Sequence, residues 1–117
     1  MLRAFWDAAV SLDRAAEKMD EKHMRLCRAG ELQQLWKDGG LQNVHEQPLD
    51  IEMQFASFDD FWAPFLLGQG PAGAYVRSLD KARVQELREA VRQRIRVHNE
   101  NGSFSIVGRV WAVRGTA

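Results

Sequence analysis

The sequence predicts an α+β fold, mainly helical, with two strands. Three observations carry this. Apolar residues recur at three- and four-residue spacing over 2–20, 29–38 and 80–97, the pattern switches to strict alternation at Leu49, Ile51, Met53 and Phe55, and a final apolar stretch follows an Asn101-Gly102 turn. The length of 117 residues suits one domain over 1–117, and 29 of them are Leu, Ile, Val or Phe, enough to build a core.

In the first helix, expected over 2–20, Leu2, Phe5, Trp6, Ala9, Leu12, Ala16 and Met19 form one stripe, with Arg3, Asp7, Arg14, Glu17 and Lys18 largely off it. A short second helix over 29–38 places Leu32, Leu35 and Trp36 at helical spacing and ends at Gly39-Gly40, which supplies a residue able to take positive φ. The first strand, expected over 41–55, alternates Leu49, Ile51, Met53 and Phe55 with Asp50, Glu52 and Gln54, so one face is expected to be buried and the other wet. Pro48 cannot donate to a ladder, which places this strand at a sheet edge or gives it a bulge. Ser57 followed by Asp60 marks a helix start, giving a helix over 58–66, and Pro64, Gly68, Gly70, Pro71 and Gly73 allow only short helical pieces up to residue 79. Asp80 caps a longer helix over 80–97, ending near His98, with Val84, Leu87, Val91 and Ile95 as its core stripe. The last strand, 103–113, points Phe104, Ile106 and Val110 one way and Val107, Trp111 and Val113 the other, the pattern of an interior strand buried on both faces.

Charge and composition narrow the function classes. Sixteen basic and sixteen acidic residues cancel overall, but residues 29–76 carry one positive and seven negative charges and residues 77–117 nine and four. The basic residues of the last third lie mostly on one helix, interrupted by acids and without interleaved aromatics, so they read as a solvated face and no nucleic-acid partner is expected. The longest apolar stretch, Phe61 to Gly68, is broken by Pro64 and too short to span a bilayer, so no membrane association is expected. Asp7 interrupts what would be the apolar region of a signal peptide, and the single Cys27 has no partner for an intrachain disulfide; both fit a cytoplasmic location.

Four motifs suggest chemistry, and each has a plainer reading. Gly68, Gly70 and Gly73 have the spacing of a dinucleotide-binding loop, but no strand precedes them and no βαβ unit follows, so they read as a turn or lid loop. His23 and Cys27 lie four apart, with His45 a distant third ligand, yet one thiolate without paired spacing leaves two surface histidines and a buried thiol as the expectation, and no metal site. Cys27 with a histidine as base has nothing to fix its geometry. Asp59 and Asp60 are adjacent, do not face each other on a helix, and suit a helix start better than acid–base work. The aromatic set Phe55, Phe58, Phe61, Trp62, Phe65 and Tyr75 is the most suggestive feature, since such a patch forms core or lines an apolar pocket or partner surface.

Two stretches, GELQQLWKDGGLQNV and SFDDFWAPFLLGQGPAGAYVRSL, followed by a terminal VWAVRG, together resemble the carboxy-terminal part of class I S-adenosylmethionine-dependent methyltransferases. In that family a helix ends in an (A/G)GL turn, here Gly39-Gly40-Leu41, before the sixth strand. A variable helical insertion then leads to an antiparallel seventh strand, here 103–113. The resemblance covers essentially the whole chain and implies a two-stranded antiparallel sheet equivalent to the sixth and seventh strands of a Rossmann-like fold. It also implies that the amino-terminal half of that fold, with the glycine-rich loop and acidic residue that hold the methyl donor, has no counterpart here. No cofactor is therefore expected for the isolated chain, with S-adenosylmethionine bound only if the missing half is supplied. No catalytic, cofactor-binding or metal-ligating residue is assigned. Because the region after the fifth strand and the insertion border the acceptor in such enzymes, the resemblance makes Phe5, Trp6, Phe58, Trp62, Phe65 and Tyr75 candidates to line an acceptor pocket for a small molecule.

An isolated pair of strands is marginal in water, and a last strand with an open edge needs cover. A homodimer through that strand, or a protein partner supplying the missing strands, is the expected remedy. The function expected is a non-catalytic interaction or acceptor-binding module, inactive as an isolated chain. The alternative is a subunit of a split methyltransferase completed by a partner that carries the cofactor site.

Overall fold

The structure is a computed structural model that describes residues 1–97 and 101–117. It is an α+β arrangement of five α-helices and a two-stranded antiparallel sheet among the described residues. In chain order these are α1 (Leu2–Leu12), α2 (Glu31–Asp38), β1 (Gln42–Phe55), α3 (Phe58–Leu66), α4 (Gly70–Ser78), α5 (Lys81–Arg94) and β2 (Phe104–Thr116), with 3₁₀ turns at Arg14–Lys18 and Glu21–His23. The chain divides into two compact units, Met1–Glu21 with Met53–Ile106, and Lys22–Glu52 with Val107–Ala117. Both strands pass from one unit into the other.

The first unit is helical. α1 packs against α5 and α4, and α3 against α4. The helix expected over 2–20 stops at Leu12, because the Asp13 side chain accepts a hydrogen bond from the Ala15 amide and caps a 3₁₀ turn instead. Phe5, Trp6, Ala9 and Ala16 of its stripe are buried, while Leu2, Leu12 and Met19 stay exposed. α3 begins as expected, with Ser57 Oγ accepting from the Asp60 amide and Asp60 Oδ2 accepting from the Ala56 amide. The turn-rich stretch after it, expected to hold only short pieces, contains the full nine-residue α4. Pro71 falls in the first turn of that helix, where no backbone donor is required, so it starts the helix instead of breaking it. Asp80 caps α5 by accepting from the Arg83 amide, and Leu87 and Val91 are buried with Val84 and Ile95 packed beside them. α5 ends at Arg94, three residues short of the expected 97, with Ile95 as its cap and Arg96 at φ +57; His98 itself lies outside the described residues. The Glu89 carboxyl, hydrogen-bonded by Arg92 and then Gln93, is held down at about 2, and Arg92 also donates to the Val97 carbonyl beyond the helix.

The second unit is a β-ribbon with one helix laid on it. α2 starts two residues later than expected, after Gly30 at φ +85, and Gly40 at φ +84 ends it as the Gly-Gly pair predicts. Its amino terminus is capped from β1: Glu46 accepts from the Gly30 and Gln33 amides, and Gln33 Nε2 donates to the Val44 carbonyl at 3.0 Å. Gly115 of β2 lies under the Trp36 ring, where a Cβ would come within 3.4 Å of it. Trp111 Nε1 donates to the Cys27 carbonyl at 3.2 Å. Three cross-strand pairs set one register: Asn43 bonds Thr116, Asp50 bonds Arg109 and the Phe55 and Phe104 rings stack at 5.4 Å. The steps between these pairs are equal on both strands, so Leu49 faces Val110.

Alternation then explains a correction. Val44, Asp50, Arg109, Trp111 and Gly115 share one face, and it is this face that α2 and the Cys27 segment approach. Leu49, Ile51 and Val110 point to the other, where they are 44%, 51% and 47% exposed, and Val107 is 65% exposed. The buried apolar face expected for the first strand is therefore met only towards its end, where Phe55, with Phe104 and Ile106 of the last strand, packs partly buried against the helical core, while Leu49 and Ile51 are exposed. The doubly buried interior position expected for the last strand is not what the chain adopts. α2 covers the face opposite the apolar row, and the sheet has no third strand among the described residues.

Candidate functional site

All six residues singled out as pocket candidates come together in the helical unit. Phe5 and Trp6 enter from α1, Phe58, Trp62 and Phe65 from α3, and Tyr75 from α4. Their spacings turn each set toward the same interior, and every one is buried. Phe5 is the hub: its ring stacks on Phe65 at 4.6 Å, meets Trp6 and Tyr75 edge-on at 5.1 and 6.4 Å, and lies 6.3 Å from Trp62. Trp62 stacks with Phe58 at 6.3 Å, and the Arg88 guanidinium, bonded to Asp59 at 2.8 Å, sits 4.9 Å above the Phe58 ring. The polar atoms are used locally, since Trp6 Nε1 donates to Glu21 Oε2 at 3.0 Å.

Rings packed in this way fill the space between the helices themselves. Beside Tyr75 a cleft of about 60 Å³ opens between Leu12, Asp13, Leu79, Arg83, Glu86 and Leu87. That holds a water or two, far below the roughly 300 Å³ at which small-molecule sites begin. Burial, and then Asp13, push the Tyr75 phenol above its ordinary value, so it stays protonated there as a hydroxyl donor.

The other concentration of unusual surface is the ribbon. Leu49, Ile51 and Val110 form an exposed apolar row on one face, Val107 stands exposed on the other, and the Asp50–Arg109 bridge at 2.7 and 2.9 Å ties the two strands beside them. Arg109 holds the Asp50 carboxyl below its ordinary value, and both stay charged. Among the described residues no backbone hydrogen bond reaches the outer edge of either strand. Sequence reasoning placed these side chains in the interior. The signal that could have found them is a count of covers: one short helix for a ribbon whose last strand is apolar on both faces.

The remaining motifs resolve into structure. Gly68 closes α3 at φ +73, and Gly73 lets α4 back onto it, where a Cβ would meet the Gly68 backbone at 2.6 Å. The dinucleotide-like spacing is thus a helix–turn–helix contact. Asp59 and Asp60 serve Arg88 and the helix start. His23 lies in a 3₁₀ turn and Cys27 beyond it, so their four-residue spacing is not one helix face; the thiol, expected to be buried, is exposed. Among the described residues no group of three His, Cys, Asp or Glu side chains is placed to hold a metal ion, and no helix is long and apolar enough to cross a membrane. No known family model matches the chain, and neither a curated protein nor a solved structure does so.

Proposed function

We propose that this chain is a non-catalytic interaction module of methyltransferase-like descent, which joins another protein chain through its β-ribbon and does not bind the methyl donor by itself. One observation carries the reading: Leu49, Ile51, Val107 and Val110 stand exposed on a sheet that, among the described residues, has two strands and no further strand paired to either outer edge. Exposed apolar surface on an open sheet edge is the surface that associates. The sequence resemblance adds the descent, with β1 and β2 in the places of that family's sixth and seventh strands. Interaction is favoured over acceptor binding because the six aromatic candidates pack on one another.

Calorimetric titration of the purified chain with S-adenosylmethionine and S-adenosylhomocysteine tests this. No heat is expected at millimolar ligand. Micromolar binding would overturn the reading and make a donor site, and with it an enzyme, the leading interpretation.

A further inference from the structure

The two strands of the ribbon have differently built edges. β1 carries Pro48, Glu46, Asp50 and Glu52, and a proline with several like charges is how an edge strand is kept from pairing. β2, thirteen residues long, has neither proline nor acid, and its only charges are Arg109 and Arg114. Its centre, Val107–Val113, reads Val-Gly-Arg-Val-Trp-Ala-Val, close to its own reverse. Laid antiparallel on a second β2 with the two-fold axis at Val110, it sets Val110 against Val110, Arg109 against Trp111, Gly108 against Ala112 and Val107 against Val113. Small residues meet small ones, β-branched meet β-branched, and no two like charges face each other. Arg109 arrives neutralised, because Asp50 of its own chain holds it at 2.7 and 2.9 Å, and its planar guanidinium can lie on an indole. The register within the chain sets Leu49 beside Val110, so the pairing builds one apolar row of Leu49, Val110, Val110 and Leu49 across four strands.

We infer that the partner is a second copy of this chain, paired antiparallel through the outer edge of β2 about a two-fold axis at Val110. This rests on the interaction reading and names its partner. The symmetric pairing closes on itself, leaving only the two guarded β1 edges outside.

The test uses the full chain with Cys27→Ser, since the exposed Cys27 would otherwise cross-link on its own. Sedimentation equilibrium is expected to give a dimer at micromolar concentration. In that background Val110→Cys should oxidise to a single disulfide-linked dimer, because the axis brings the two cysteines face to face, whereas Val107→Cys should not. Val110→Lys, at a position half exposed within the chain, should keep the far-ultraviolet dichroism and weaken self-association at least about tenfold by facing two like charges. A monomer at tens of micromolar, an open series of higher oligomers, or cross-linking at 107 as fast as at 110 would each overturn the inference. A monomer that also binds no methyl donor leaves the interaction reading standing without this partner; a dimer that binds the donor overturns that reading and leaves the pairing.

Discussion

Phe5 decides whether the aromatic cluster is a core or a pocket. Fully buried and in ring contact with Trp6, Trp62, Phe65 and Tyr75, it touches three helices at once. Phe5→Ala should lower unfolding stability in urea by about 3–5 kcal/mol, the range for truncating a buried aromatic in a core that cannot collapse around the hole. That is a large part of the roughly 5–15 kcal/mol that holds a domain together. A side chain lining an open pocket leaves no closed cavity when truncated and would lose much less, so a small urea shift would return these residues to a binding role. At this scale the sequence was informative about grouping and silent about purpose. Helical spacing put Phe5 and Trp6 on one stripe, and density alone grouped Phe58, Trp62 and Phe65 with the other aromatics of 55–75. Whether such groups meet each other or a ligand depends on how closely the helices approach, and periodicity carries no distance.

At the scale of elements, the junction of α3 and α4 shows why α4 escaped a reading by breakers. Gly70, Pro71 and Gly73 look like punctuation, yet Pro71 is pre-set for a first turn and Gly73 is small because α4 crosses the Gly68 backbone. Gly73→Ala would gain helix propensity, worth about 1 kcal/mol at an unhindered site. Here the new methyl group meets backbone at 2.6 Å, so one helix must shift, and a net loss of about 1–3 kcal/mol in chemical denaturation is expected. A stabilised variant would show that the two helices are not in this contact. The capped helix starts at Ser57 and Asp80 and the stop at Gly40 were legible because each is decided by a few neighbouring residues. Asp13 illustrates the opposite case. Its local bond to Ala15 broke a stripe that was regular through Met19. The cover on the ribbon was illegible for a different reason: alternation names the apolar face of β1, but Glu46 and Gln33 anchor α2 to the other.

For the molecule as a whole, the helical unit carries its own core while the ribbon unit leaves Leu49, Ile51, Val107 and Val110 exposed, so the two should respond differently to chain concentration. Amides buried in α1 and α5 open by events within one chain, and their exchange with deuterium is independent of how many chains are present. If β2 pairs with a second copy, its amides exchange through the dissociated monomer. The monomer fraction of a dimer falls as the square root of total concentration, so protection in Val107–Val113 should rise about threefold for each tenfold increase in protein. Hydrogen exchange read residue by residue at two concentrations tests both statements in one sample, with α5 as the internal reference. Equal, concentration-independent protection in both regions would mean that the ribbon stands alone in water. Rising protection in the ribbon with none in α5 would locate the missing cover outside the chain, where neither the pattern of apolar residues nor the fold of a single copy could display it.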